Sequence, residues 1–356
     1  MDARRLQTTA RFAEQKLDAL IISYGPNVRY LTGYTGSNGL LLLFVGGQGV
    51  LFTDPRYAIQ AARETTCKVK VVRGPLLVAA AKAIAAKRLK RAGFEQARLS
   101  WEGHAMLSKA LARKAVLEPV GGWIEEQRMV KSSEEIEAIR RSVLLNSQAY
   151  VNTMKNVRPG VRESELAAEL EYQMRRLGAE KPAFETIVAS GERTALPHAH
   201  PTANRISSND LLLVDMGASL EGYSSDMTRM ACLGQPAAKL KRMYKAVLEA
   251  QLAAKDAVRE NVTAARVDAA ARKILKGYGL DQAFVHSTGH GLGLEIHELP
   301  RLGKRDKTRL RAGMAVTIEP GVYVEGLGGI RIEDTVLVTR NGCEVLTPTP
   351  KELLSL

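Results

Sequence analysis

Apolar and amphipathic stretches alternate through the first third of the chain. Residues 17–23 and 40–45 are rich in apolar side chains, which predicts two buried strands. Residues 49–53 form a third such run after a pair of glycines, so a hairpin is predicted between the second and third strands. Residues 79–91 have the periodicity of a helix. This order of strands and helices is typical of an α/β domain.

Two long helical stretches follow one another after this region. Ser132 and Glu135 have the spacing of a capping box, in which each side chain satisfies a backbone amide at a helix start. We therefore predict a helix over 132–156 and a second one over 163–177, which ends at a glycine. The change of pattern marks the start of a second domain.

From residue 132 onwards the chain contains two similar groups of elements. Each group has two helical stretches and a pair of apolar strands, and each strand pair carries two carboxylates. The predicted strand pairs are 211–217 with 223–232 and 314–319 with 329–339. The repetition suggests an internal duplication. We place the boundary between an amino-terminal domain, residues 1–127, and a carboxy-terminal domain, residues 128–356.

Composition narrows the class of protein. Hydrophobic residues make up 45% and charged residues 25% of the chain, as in ordinary globular proteins. The longest strongly apolar run, 40–45, is far shorter than the roughly 20 residues of a membrane span. The amino terminus has no secretory hydrophobic stretch, and the three cysteines lack the spacing of a zinc or redox motif. We expect a cytoplasmic protein.

The formal net charge of +13 raises the question of a nucleic-acid partner. The excess is scattered, and its densest run, residues 87–91, has no interleaved aromatic side chains. A solvated basic surface therefore explains the charge better, and we expect neither a nucleic-acid nor a membrane partner.

Four acids lie at strand positions in apolar surroundings, where an isolated carboxylate is costly unless it is paired or metal-bound. These acids are Asp215, Asp226, Glu319 and Glu333, and the glycine-flanked His290 lies between the two strand pairs. Each acid alone has a simple structural explanation: Asp215 could cap a turn, Asp226 could pair with Arg229, and Glu333 with Arg331. The set as a whole predicts a divalent metal site.

Seven stretches give the chain a resemblance to the pita-bread metallopeptidases, which include methionine aminopeptidase, aminopeptidase P, prolidase and creatinase. They are residues 187–191, 197–199, 214–217, 225–229, 286–298, 318–321 and 330–334. Residues 53–57 resemble the amino-terminal domain that methionine aminopeptidases generally lack. The resemblance implies an α+β fold, with a carboxy-terminal pita-bread domain after a creatinase-type amino-terminal α/β domain.

The resemblance also implies a ligand set for two divalent ions. Asp215 would bind one ion, His290 and Glu319 would bind the other, and Asp226 and Glu333 would bridge both. Such a pair of ions activates water for hydrolysis. Mn²⁺ is the first expectation for this oxygen-rich set, and Co²⁺, Zn²⁺ and Fe²⁺ are the alternatives.

Further roles follow from the same resemblance. His198 and His297 would act on the substrate, as groups that stabilise the oxyanion and steer a proton to the leaving amine, and Glu319 would double as the proton shuttle. Arg331 would orient a bridging carboxylate from behind. Arg301 would receive the carboxylate of a dipeptide substrate, although it could equally belong to a basic surface with Lys304 and Arg305.

The expected activity is hydrolysis of Xaa-Pro peptide bonds by a prolidase or an Xaa-Pro aminopeptidase, with proline-containing peptides as substrates. Two alternatives are a creatinase-like C–N hydrolase and a non-catalytic scaffold that binds protein or nucleic acid. Both are disfavoured because such relatives typically lack the metal ligands, and this chain has all five. Relatives commonly form homodimers, in which the first domain of one chain helps to close the partner's site, so a homodimer is expected.

Overall fold

Packing divides the chain into two units, Met1–Arg128 and Met129–Leu356, in the computed structural model, which describes residues 1–356. The predicted boundary of two separately folding domains after residue 127 stays a prediction. No helix in the structure has the length and apolar character that crossing a membrane requires.

The first unit is a six-stranded mixed sheet with helices. Its helices are α1 (Asp2–Ala10), α2 (Phe12–Gln15), α3 (Gly25–Thr32), α4 (Ala58–Glu64), α5 (Leu76–Ala86), α6 (Trp101–Leu111) and α7 (Trp123–Arg128). Its strands are β1 (Ala19–Ile22), β2 (Gly39–Phe44), β3 (Gly49–Thr53), β4 (Lys68–Val71), β5 (Arg91–Glu95) and β6 (Val116–Val120). They lie in the order β4-β3-β2-β1-β5-β6, and β1 runs parallel to β5 and antiparallel to β2.

The hairpin predicted in this unit is confirmed, because β2 and β3 pair in an antiparallel register around Gly46 and Gly47. The predicted helix over 79–91 is wrong at its end. Helix α5 ends at Ala86, Arg88 adopts a left-handed backbone with φ of 54°, and Arg91 begins β5. Helix propensity favours the basic run that follows α5, but pairing of β5 with β1 and β6 determines its structure.

The second unit has four long helices and fourteen short strands. The helices are α8 (Ser133–Met154), α9 (Glu163–Arg176), α10 (Ala238–Ala257) and α11 (Ala264–Gly277). The strands are β7 (Lys181–Pro182), β8 (Ile187–Ser190), β9 (Leu211–Met216), β10 (Ala218–Leu220), β11 (Tyr223–Ser224), β12 (Met227–Cys232), β13 (Gly289–Gly291), β14 (Glu298–Leu302), β15 (Ala315–Ile318), β16 (Gly321–Val324), β17 (Gly328–Arg331), β18 (Asp334–Val338), β19 (Cys343–Val345) and β20 (Leu354–Ser355).

Two sheets of this unit carry the predicted strand pairs. The first has the order β20-β12-β9-β8, and the second has the order β14-β13-β15-β18-β19. In the first, β9 and β12 pair antiparallel, and in the second, β15 and β18 pair in the same way. The predicted pairing of these segments is therefore confirmed, but the second predicted strand of each pair is divided. Residues 223–232 form β11 and β12, and residues 329–339 contain β17 and β18, of which β17 pairs with β16. The capping box is confirmed as well, since the Ser132 and Glu135 side chains each accept a backbone hydrogen bond at the start of α8.

The two halves of the second unit repeat the same arrangement. Helices α8 and α9 precede the β9–β12 pair, and α10 and α11 precede the β15–β18 pair. Matching hydrogen bonds begin the second helix of each half: Glu163 N donates to Asn204 O at 3.0 Å, and Ala264 N donates to Thr308 O at 2.9 Å. This correspondence supports the duplication that the sequence suggests.

Candidate active site and metal centre

The β9–β12 hairpin places the first two acids on the face of the sheet that points away from α8 and α9. Along β9, Leu212 and Val214 pack in the cluster that contains α8 and α9, so Asp215 faces the opposite side of the sheet. Asp215 lies opposite Thr228 in the β9–β12 register, and Asp226 directly precedes β12. The hairpin thus brings both carboxylates to one face, where Asp215 is 9% and Asp226 5% exposed.

The second strand pair repeats this geometry. Val316 and Ile318 pack with α10 and α11, and Glu319 directly follows β15. Glu333 lies between β17 and β18 and is 1% exposed. Its backbone N–H donates to Thr228 O at 3.3 Å, which joins the second pair to the first. Four acids from two antiparallel pairs therefore meet inside the second unit.

His290 enters this cluster from β13. Its Nδ1 lies 3.0 Å from the carbonyl oxygen of Gly291, which only accepts hydrogen bonds, so Nδ1 carries the proton. The Nε2 lone pair then faces Glu319 Oε1 at 3.3 Å and Asp226 Oδ2 at 3.5 Å. A Cβ at Gly289 would lie 1.9 Å from Thr317 O, so only glycine allows this close approach of β13 to β15.

The cluster has the properties of a divalent cation site. Ligand atoms of Asp226, His290 and Glu333 all lie within 4.8 Å of one another. Asp215 Oδ1 and Glu333 Oε1 are buried and have no hydrogen-bond partner. Unsatisfied buried carboxylate oxygens are costly, and a hard cation satisfies both their charge and their lone pairs. The residues present therefore fit the metal.

The pKa values of these carboxyl groups show the same shortage of positive charge. Burial raises the pKa of Asp226 and of Glu333 well above the usual range, and the neighbouring carboxylates raise it further. Burial likewise raises the pKa of Glu319 to about 7, against the lowering effect of Arg331. Several ionised carboxylates can share this space at neutral pH only with added positive charge.

Arg331 supplies some of that positive charge, but it pairs with Asp215 and not directly with a predicted bridging carboxylate. Its Nη2 donates to Asp215 Oδ2 at 2.6 Å. Its Nε donates to Thr228 Oγ1 at 3.1 Å, and that hydroxyl donates to Glu333 Oε2 at 2.7 Å. Arg331 thus reaches the predicted bridging carboxylate of Glu333 only through Thr228. No role was predicted for Thr228, although its position two residues after Asp226 puts both on one strand face.

Tyr323 and His286 extend this hydrogen-bonded support away from Arg331. Arg331 Nη1 donates to the Tyr323 hydroxyl at 2.7 Å, and that hydroxyl lies 3.0 Å from His286 Nε2. His286 Nδ1 donates to Ser287 O at 2.8 Å, so Nε2 accepts from the tyrosine. Burial lowers the pKa of His286 to about 4, which keeps the imidazole neutral. No spacing in the sequence indicates this contact.

The pairing of Asp226 with Arg229 that would have made this acid structural does not occur. Arg229 Nη2 donates instead to Asp334 Oδ1 at 2.7 Å. Both side chains of that ion pair are buried. Arg229 is therefore not the partner of Asp226, which removes the simplest structural explanation for the burial of this acid.

The three residues predicted to meet substrate lie at the exposed edge of the cluster. The ring of His297 lies 4.4 Å from that of His290, and desolvation lowers the pKa of His297, with His290 and His198 adding to the effect. His198 is exposed and follows Pro197, whose carbonyl oxygen accepts from Arg331 Nη1 at 3.2 Å. Arg301 is exposed and lies opposite His290 in the β13–β14 register.

Comparison with known proteins places this chain in a family. Residues 137–340 match the family described as Metallopeptidase family M24, and residues 4–130 match the Creatinase/Prolidase N-terminal domain. The chain is 39% identical to an Xaa-Pro dipeptidase of Pyrococcus furiosus over 353 residues, which cover 98% of this chain and 99% of the relative.

Two solved structures have the same architecture. An Xaa-Pro dipeptidase from Bacillus anthracis matches with a TM-score of 0.96 and 37% identity, covering 99% of both chains. An X-Pro aminopeptidase from Thermotoga maritima matches with a TM-score of 0.90 and 35% identity, covering 97% of this chain and all of the other. The predicted fold class and the resemblance to the prolidase branch are confirmed. The protein is a divalent-metal enzyme that belongs to Metallopeptidase family M24 and carries a creatinase/prolidase amino-terminal domain.

Proposed function

We propose that the chain hydrolyses Xaa-Pro peptide bonds with two divalent metal ions. The observation that carries this proposal is the buried cluster of four carboxylates and His290, with two oxygens lacking partners. The cluster lies in a chain that resembles an Xaa-Pro dipeptidase over nearly its whole length. General peptidases place an Xaa-Pro bond poorly, because proline has a fixed ring and no amide hydrogen.

The proposed ligand set divides the five residues between the ions. Asp215 would hold one ion, and His290 with Glu319 would hold the other. Asp226 and Glu333 would bridge them, which fits their central position within reach of His290 Nε2. Mn²⁺ is the first expectation because carboxylate oxygens predominate, and Co²⁺, Zn²⁺ and Fe²⁺ remain alternatives.

The chain's own residues supply positions and protons for the reaction. When bound, the ions polarise the scissile carbonyl and make water a better nucleophile. Glu319 takes the proton of the attacking water on a carboxylate oxygen and passes it towards the leaving proline nitrogen. His198 donates a hydrogen bond to the oxygen that gains negative charge, and His297 helps to direct the proton. Arg331, Thr228 and Tyr323 hold the carboxylates in place.

An Xaa-Pro aminopeptidase is the second candidate, and the similarity to the Thermotoga maritima enzyme favours it. The difference concerns the carboxyl side of proline, which ends in a carboxylate in a dipeptide and continues as an amide in a longer peptide. Arg301 is the residue that would distinguish them, since an exposed guanidinium at the edge of the site can pair with a carboxylate. For this reason we favour the dipeptidase.

Assembly and location extend the proposal. A homodimer follows from the family resemblance, and proline-containing peptides are the expected partners in the site. A cytoplasmic location accords with three cysteines that are all free in the structure, since reducing compartments keep thiols unpaired.

A kinetic panel tests the activity. Xaa-Pro dipeptides, Xaa-Pro-Yaa tripeptides and methionyl peptides would be compared after chelation and after addition of each metal in turn. We expect turnover of Xaa-Pro dipeptides, weaker turnover of the tripeptides and none of the methionyl peptides. Preference for the tripeptides would favour the aminopeptidase, and turnover of only the methionyl peptides would contradict both candidates.

A further inference from the structure

The segment between β8 and β9 carries His198 on irregular backbone. Residues 191–195 form a short 3₁₀ turn, and residues 196–204 belong to no helix or strand. His198 lies in this part, and its side chain is exposed. Irregular backbone at a surface has many accessible conformations, and restricting them costs conformational entropy. The contacts that restrain this segment therefore determine where the imidazole lies.

One buried carboxylate contacts the segment on both sides of His198. Glu163 is the first residue of α9 and is 0% exposed. Its Oε1 accepts from the backbone N–H and the hydroxyl of Ser190 at 2.9 and 3.2 Å. Its Oε2 accepts from the backbone N–H and the hydroxyl of Thr202 at 3.1 and 2.8 Å. A single side chain thus ties Ser190 to Thr202.

Two further side chains, those of Arg193 and Asn204, bind the same carboxylate. We call the contacts of Glu163 with Ser190, Arg193, Thr202 and Asn204 the Glu163 junction. Arg193 Nε lies 3.1 Å from both oxygens of Glu163, and Arg193 Nη2 donates to the carbonyl oxygen of His200 at 2.8 Å. Asn204 Nδ2 donates to Glu163 Oε1 at 3.3 Å and to Ser190 Oγ at 2.9 Å. Residues on both sides of His198 therefore converge on one carboxylate.

The chemistry of the junction requires an ionised acid. All the groups that approach Glu163 are donors, and only a carboxylate offers enough lone pairs for them. Burial raises the pKa of Glu163, but hydrogen bonds from Thr202 and Ser190 outweigh it and lower the pKa overall. A glutamine at this position would point an NH₂ group at N–H and O–H donors. The junction would then lose both charge and hydrogen bonds.

The middle of the segment is joined to residues that surround the candidate metal ligands. The carbonyl oxygen of Pro197, directly before His198, accepts from Arg331 Nη1 at 3.2 Å. Thr194 Oγ1 accepts from the backbone N–H of Gly329 at 2.8 Å, which connects the segment to β17. These contacts and the Glu163 junction together fix the backbone on both sides of His198.

We propose that Glu163 is a positioning residue for His198: it holds both ends of residues 191–204 and so fixes the imidazole beside the substrate. This inference rests on the proposed function, in which His198 stabilises the oxyanion. Displacement of a catalytic group by about 1 Å can lower the rate about 10²-fold. Loss of Glu163 therefore acts on turnover while leaving the metal ligands in place.

Double substitution separates positioning from general support of the fold. We expect Glu163→Gln to lower kcat about 10- to 10²-fold with little change in KM or metal content. In a His198→Ala background the same substitution should lower kcat less than about twofold, because the group it positions is absent. Glu163→Asp retains the charge and should recover part of kcat. If Glu163→Gln does not fold, Glu163→Asp is compared with and without His198 instead.

Glu165→Gln is the matched control. Glu165 lies on the same helical turn but is exposed, and its carboxylate contacts Arg162 at the helix start, where it accepts from the backbone N–H at 2.9 Å and lies 3.9 Å from the guanidinium. We expect near wild-type kcat for this variant, because its carboxylate makes no contact with residues 191–204.

Hydrogen exchange of the metal-loaded proteins gives a second readout that does not depend on turnover. The amides of residues 191–204 should exchange faster in Glu163→Gln than in wild type or Glu165→Gln. Equal kcat losses with and without His198, or unchanged exchange in this segment, would overturn the positioning role. A wild-type protein that cleaves no Xaa-Pro peptide would instead contradict the proposed function, and the exchange comparison would still decide whether Glu163 orders the segment.

Discussion

At the scale of single residues, Arg301 offers the most direct test of substrate choice. Its guanidinium is exposed beside the cluster, and Nε donates to Ser287 Oγ at 3.2 Å. If it receives the proline carboxylate, Arg301→Ala should raise KM for Xaa-Pro dipeptides about 10-fold or more, since hydrogen bonds to charged groups contribute about 1.5–3 kcal/mol. Xaa-Pro amides lack that charge and should show little change in KM.

The neighbouring Arg305 provides the control for this measurement, because it is also exposed but lies beyond the strand that carries Arg301. Arg305→Ala should leave both KM values near wild type. Equal increases of KM for the acid and the amide in Arg301→Ala would exclude carboxylate recognition and assign Arg301 to the basic surface.

Glu319 makes the stability of the metal-free protein depend on pH. Its pKa is about 7 in the folded chain, above the ordinary value of a glutamate. The folded state therefore binds a proton that the unfolded state releases, so this group's stabilisation is present at low pH and is lost as the pH rises towards 7. We expect the free energy of unfolding of the chelated protein to fall over this interval, and to fall less in Glu319→Gln.

Urea unfolding of chelated samples between pH 5 and 8 would measure this effect as a difference between the two proteins. In wild type, saturating metal should remove the fall between pH 5 and 7, because bound cations favour the ionised carboxylate. Identical pH profiles for the chelated wild type and Glu319→Gln would show that Glu319 is not held in a charge-poor environment.

At the scale of elements, the β12–β18 region depends on a buried ion pair behind the metal cluster. Arg229 is 2% exposed and donates to Asp334 Oδ1, and Asp334 Oδ2 also accepts from Gln251 Nε2 at 2.9 Å and Lys351 Nζ at 2.6 Å. Arg229→Met should lower the free energy of unfolding by about 3–5 kcal/mol, because it leaves a buried carboxylate with less compensation. Arg242→Met, at an exposed position on α10, should change it by less than about 0.5 kcal/mol.

Chemical unfolding of the two variants with metal bound gives this comparison. Metal content should stay near wild type in Arg229→Met samples that remain folded. Among the candidate ligands Arg229 contacts Glu333, and it does so through the backbone carbonyl oxygen and not through the carboxylate. Stability equal to wild type would mean that Lys351 and Gln251 alone compensate Asp334.

Elements also explain which parts of the site the sequence could predict. Asp215 and Glu319 follow apolar strand residues, and pairing of β9 with β12 and of β15 with β18 is visible in the hydrophobic pattern. A carboxylate in such a place stands out from the residue pattern alone. The contacts of Tyr323 with His286 and of Glu163 with Thr202 join segments far apart in the chain, and no periodicity encodes them. The same limitation applies to α5, where sheet pairing overrides helix propensity.

At the scale of the whole molecule, we predict that the two units have different tasks. All five candidate ligands lie in Met129–Leu356, whereas the creatinase/prolidase amino-terminal domain lies within residues 4–130. We predict that a chain beginning at residue 129 binds metal but has a lower kcat/KM on short Xaa-Pro substrates, because we assign substrate selection and assembly to the first domain. Metal analysis and kinetics of the truncated chain would test this, and an unchanged kcat/KM would contradict it.

The central claim is that the buried carboxylates and His290 hold the ions that hydrolysis requires, and metal content measured together with turnover tests it most directly. Wild type should bind two ions per chain and lose Xaa-Pro turnover on chelation. Asp226→Asn should bind at most one ion and lose turnover while remaining folded, whereas the exposed Asp256→Asn should match wild type. Full turnover by metal-free wild type, or two ions and wild-type kcat in Asp226→Asn, would contradict the claim.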